Sequence, residues 1–63
     1  LDLKEYVGKR IRVTDIDGQI FEGKCTDYAQ PADNDPEIAS IAIETEVLTY
    51  ELYENEIKNI EIV

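Results

Sequence analysis

The chain has 63 residues, with fifteen acids against six bases and no histidine, giving a formal charge of −9. A chain this short forms one domain, spanning 1–63, that buries only ~60% of its unfolded surface and has little room for a deep internal pocket. With 43% hydrophobic residues it is too apolar for a disordered segment, and no apolar run approaches the ~18 residues of a membrane helix.

In chain order, Leu1 to Tyr6 reads as a short N-terminal helix, with Leu3, Tyr6 and Val7 on one face and Asp2 and Glu5 near its positive end. Gly8 occupies the helix-stop position. Arg10-Ile11-Arg12-Val13-Thr14-Asp15-Ile16 alternates with period two, which predicts a strand with Ile11 and Val13 inward and Arg10 and Arg12 outward. Asp17-Gly18 then predicts a hairpin. The return strand runs from Gln19 to Tyr28, with Phe21, Gly23 and Cys25 on one face, and Gly23 marks a bend or bulge.

Both prolines, Pro31 and Pro36, fall between Ala29 and Glu37, which predicts a loop. Ala39, Ile41 and Ile43 alternate with Ser40, Ala42 and Glu44 in a third strand, and Leu48, Tyr50 and Leu52 alternate with Thr49, Glu51 and Tyr53 in a fourth. Glu54-Asn55-Glu56 is a tight turn, and a fifth strand, 57–63, turns Ile60 and Ile62 inward. Tyr6 and Tyr50 suit a half-buried wall, while Tyr28 and Tyr53 are expected at the surface. Starting on Leu rather than Met, the chain is expected to begin inside a longer or processed product. Five short strands after one helical turn predict an all-β fold, strongly bent toward a barrel that leaves no bare edges.

The charge divides unevenly. Residues 1–25 hold five bases and five acids; residues 26–63 hold ten acids and Lys58. Such acidity repels phosphate backbones. Lys9, Arg10 and Arg12 form the one basic strip, and pairing with neighbouring acids is its simplest role. Cys25 has no histidine to activate it and reads as a buried thiol, and a single cysteine fits a reducing cytoplasm. Triad, zinc and phosphate-loop chemistries lack their residues, so no enzyme and no cofactor is expected. Asp33, Asp35 and Glu37, with Glu44 beyond, have calcium-loop spacing, but Pro36, Ile38 and the missing glycine oppose it.

Tyr6-x-Gly8-Lys9-x-Ile11-x-Val13, Asp17-Gly18 and Phe21-x-Gly23-x-Cys25-x-x-Tyr28 together resemble the first conserved segment of Sm and Sm-like (LSm) proteins. The ending, Asn55 to Val63, is similar to the last turn and strand of these barrels and of the C-terminal domain of bacterial ribosome-maturation factors. The resemblance implies a five-stranded SH3-type barrel, with this chain a divergent, bacterial or phage-like member framed by Gly8, Gly18 and Gly23. It also implies a non-catalytic interaction or assembly module. In rings of the family the fourth strand of one subunit pairs with the fifth of the next, which would place Thr49, Glu51, Tyr53, Lys58 and Glu61 at subunit edges. The family's RNA signatures are largely replaced. Ala29-Gln30-Pro31 stands where the base-contacting Asn is expected, and Glu54-Asn55-Glu56 stands where a cation meets phosphate. Tyr28 and Gln30, with Lys9, Arg10 and Arg12, are the remnants through which single-stranded RNA could bind. Self-association or a protein partner is the leading expectation; residual RNA binding and acidic mimicry of nucleic acid are the alternatives.

Overall fold

A computed structural model describes residues 2–63 of the chain. It is all-β, with five strands: β1 (Arg10–Asp15), β2 (Ile20–Ala29), β3 (Ser40–Glu44), β4 (Thr49–Tyr53) and β5 (Ile57–Ile62). The expected N-terminal helix is a single 3-10 turn, Leu3–Tyr6, and Leu1 lies outside the described residues. Two further 3-10 turns, Pro31–Asp33 and Glu54–Glu56, precede β3 and β5.

All strand pairs are antiparallel, in one sheet of order β4-β3-β2-β1-β5. β2 is long because it serves two neighbours. Its first half, Ile20 to Lys24, pairs with β1, and its second half, Lys24 to Ala29, pairs with β3. Gly23 sits at the changeover, where a Cβ would overlap the carbonyl of Glu44, and a register shift between Cys25 and Asp27 follows at once. Close backbone approach and a bulge together bend a strand. The bend lets non-adjacent strands meet: the rings of Phe21 on β2 and Tyr50 on β4 lie 5.0 Å apart. Buried residues from all five strands and the N-terminal 3-10 turn share one core cluster. The sheet is therefore curled around its own core. It is not closed, because its end strands β4 and β5 do not pair with each other.

The inner faces supply the core: Leu3, Ile11, Val13, Cys25, Ala39, Ile41, Ile43, Leu52 and Ile57 are buried, with Tyr6, Phe21, Tyr28 and Ile60 packed against them. The period-two reading places most of these correctly, and five positions depart from it, while Val7, expected on the face of Leu3, is exposed. Ile16 belongs to the turn rather than to β1. Ser40, expected outward, is buried because the 30–39 loop folds over it. Leu48 precedes β4 and is exposed. Ile62 is 61% exposed although it lies opposite the buried Ile11, since β5 is an edge strand with no neighbour beyond it. A register shift opposite Thr14/Asp15 changes the parity of β5 and turns Ile57 inward as well.

The β1–β2 hairpin forms as Asp17-Gly18 predicts, but its organiser is Asp15. Gly18, at φ +83°, donates its N–H to the Asp15 carbonyl, and the buried Asp15 carboxylate accepts the N–H groups of Asp17 (2.9 Å) and Gln19 (2.8 Å). Gly8, at φ +88°, bonds to Cys25 at the entry to β1. Positive φ at these two positions is what glycine supplies at no steric cost.

Candidate functional site

β1 projects Arg10 and Arg12 outward from the sheet, and both meet one carboxylate. Glu22 is the direct cross-strand neighbour of Arg12; its oxygens lie 2.9 Å from Arg12 Nε and 3.9 Å from Arg10 Nη2. The pairs are exposed and worth little individually, yet they cancel part of the strip's charge. Lys9 is exposed at the start of the strip. Beside Arg10 a shallow cleft of about 300 Å³ opens at the Gly23 bend, lined by Arg10 and Lys24 but also by Glu22, Glu44 and Glu46. Three carboxylates to two cations make a poor seat for phosphate.

Tyr28 and Gln30 stand elsewhere. Tyr28 pairs with Ile41 and packs on the core, so it is half-buried rather than at the surface, and its N–H bonds the Asp27 carboxylate at 2.8 Å. It borders a hollow of about 80 Å³ shared with Asp27, Ser40 and Glu51. Gln30 is exposed just before the Pro31 turn. The two hollows share no residue. One lies at the Lys24–Glu44–Thr49 end of the sheet and the other at the Ala29–Ser40–Tyr53 end, so Arg10 and Tyr28 border different hollows.

A polar relay at the second hollow has no counterpart in the sequence reading. Asn34 Nδ2 donates to the Ile38 carbonyl (2.7 Å) and to Ser40 Oγ (3.1 Å), and Ser40 Oγ donates to Glu51 Oε2 (2.9 Å). It closes the loop onto β3 and β4. A polar residue at an outward strand position carries no sequence signal that it will be covered.

The remaining candidates lie on the two edge strands. In an antiparallel ladder, alternate residues turn their N–H and C=O groups toward the neighbouring strand. On β4 the Leu48 carbonyl accepts from Thr45 and the Glu54 N–H reaches the Ala39 carbonyl, so even-numbered residues face β3. Thr49, Glu51 and Tyr53 face outward. One of these edge N–H groups, that of Tyr53, is held by the Glu56 carboxylate at 3.0 Å, while Ser40 holds only the side chain of Glu51. Tyr53 is half-buried, not exposed as expected. On β5 the Val63 N–H donates to the Arg10 carbonyl, and the register pairs Glu61 with Arg12 and Asn59 with Thr14. The backbone of Glu61 thus turns toward β1, while Ile60 and Ile62 turn theirs outward, and Lys58 is the unpaired residue of the bulge.

Cys25 is fully buried, and burial pushes its thiol above the ordinary value, with the charge of Asp27 adding to the shift and a backbone hydrogen bond at Asp27 opposing it. A protonated buried thiol is a poor nucleophile. Among the described residues no three His, Cys, Asp or Glu side chains gather to hold a metal ion, and no helix is long and apolar enough to cross a membrane. Set against family models, curated proteins and solved structures, the chain matches none of them.

Proposed function

We propose that this chain is a non-catalytic interaction module of Sm-like barrel type, which self-associates or joins a protein partner through the edges of its sheet. The observation that carries the reading is the open sheet with two unpaired end strands, β4 and β5. Neither edge strand contains proline, and an edge with free N–H and C=O groups is a template for another strand. The strand order, the bend at Gly23 and the curled sheet accord with the barrel geometry that the glycine spacing suggests. The buried, protonated Cys25 offers no nucleophile.

Association works against the charge of −9, so it strengthens as salt screens repulsion. Light scattering over a salt series, together with a pull-down from the native cell with nucleic acid sequenced in parallel, tests the proposal. Growth in mass with salt, or recovery of a defined protein, supports it. A single-chain mass at every salt concentration with no protein recovered, or recovery of RNA alone, overturns it.

A further inference from the structure

The two edges are not equivalent. β4 and its flanking turns, residues 46–56, carry Glu46, Glu51, Glu54 and Glu56 and no cation. One end of the β4 edge is also closed by Glu56, whose carboxylate holds the outward N–H of Tyr53. An antiparallel pairing of two β4 strands centred on its middle outward residue would set Glu51 against Glu51, and like charges directly opposite each other are destabilising. β5 differs in charge and in keeping its edge open, though not in apolar exposure, since Val47 and Leu48 beside β4 are also bare (81% and 58%). Residues 57–63 hold one cation, Lys58, and one anion, Glu61, and so are neutral in a chain of −9. Its outward backbone groups belong to Ile60 and Ile62, and Ile62 and Val63 leave 61% and 48% of their surfaces bare.

We propose that β5 is the association edge and that its partner is the β5 of a second copy, joined antiparallel about a two-fold axis at Ile60. The inference rests on the edge-pairing reading above and names its partner. In this register Ile60 of each copy faces Ile60 of the other and exchanges both backbone hydrogen bonds with it. Ile62 comes opposite the bulged position of the other copy, Lys58. Asn59 faces Glu61. No two like charges are opposed. The dimer closes after two copies, as an isologous interface does, and so brings only two acidic bodies together. The two sheets become continuous, and the acidic β4 edges stay at the far ends, guarded by charge.

Proline variants test this, because proline on an edge strand removes only the outward N–H when that N–H faces solvent. Ile62→Pro blocks the β5 edge and Thr49→Pro blocks the β4 edge, and circular dichroism verifies that each remains folded. If a variant unfolds, Ile62→Lys or Thr49→Lys takes its place. Sedimentation equilibrium at high salt is expected to give a two-chain mass for the wild type and for Thr49→Pro, and a one-chain mass for Ile62→Pro. If both variants dissociate, or only Thr49→Pro does, or the mass exceeds two chains, the β5–β5 pairing is overturned while edge association stands. If the wild type itself is monomeric throughout, self-association fails altogether.

Discussion

Gly18 and Gly23 separate two reasons for glycine that look alike in the sequence. Gly18 stands at φ +83° with open space where a side chain would go, so Gly18→Ala is expected to cost about 1 kcal/mol of backbone strain. At Gly23 no positive φ is involved; a Cβ would strike the Glu44 backbone. Gly23→Ala forces β2 and β3 apart at the bend and is expected to cost about 3 kcal/mol, a large part of the ~3–9 kcal/mol available to a domain this size. Urea unfolding of both variants checks the order. Cys25 makes a second prediction at this scale. Its thiol is raised by burial in the folded state, so the folded protein holds the proton more tightly than the unfolded chain. The stability this contributes is present below the unfolded thiol range, about 8.5, and is lost as pH rises through the folded value. Wild type is expected to lose stability relative to Cys25→Ala over that alkaline window, and thiol-reagent labelling of the native protein is expected to be slow. Fast labelling under native conditions at neutral pH would contradict the burial.

The hairpin and the loop show how a side chain can decide the form of an element. Asp-Gly announced the β1–β2 reversal, but the turn is built around the Asp15 carboxylate and its two backbone donors. Asp15→Ala leaves those donors without a partner and is expected to destabilise by about 2 kcal/mol. Asp15→Asn keeps an acceptor oxygen and is expected to recover most of that, a difference readable in urea midpoints; equal losses would mean the hydrogen bonds are unimportant. The 30–39 loop is similar. Its prolines made it legible as a loop, whereas its attachment through Asn34, Ser40 and Glu51 joins residues up to seventeen positions apart, which no local pattern records. Arg10 and Arg12 likewise read correctly as outward and paired, with Glu22 as the partner set by cross-strand register.

For the molecule as a whole, charge and curvature dominate. Ten of the fifteen acids fall in residues 26–63, and their mutual repulsion opposes the compact state. Raising salt from low to moderate concentration is expected to lift the melting temperature by about 5 °C, corresponding to roughly 1 kcal/mol of screened repulsion. A melting temperature flat in salt, in a variant that cannot dimerise, would show that the surface acids are too dispersed to matter. The same charge distribution leaves β5 as the neutral edge, so repulsion and association are two readings of one pattern.

Period-two alternation, turn residues and three glycines determined the five strands, their order along the chain and most of the core, because each of these is a local property of the backbone. Only the tertiary structure decided that Ser40 is covered, that Ile62 is bare, that Arg10 and Tyr28 border different hollows, and that the sheet stops open at β4 and β5. Those outcomes depend on which distant residues meet across the bend at Gly23 and on which strand lacks a neighbour. Alternation along a single strand contains neither.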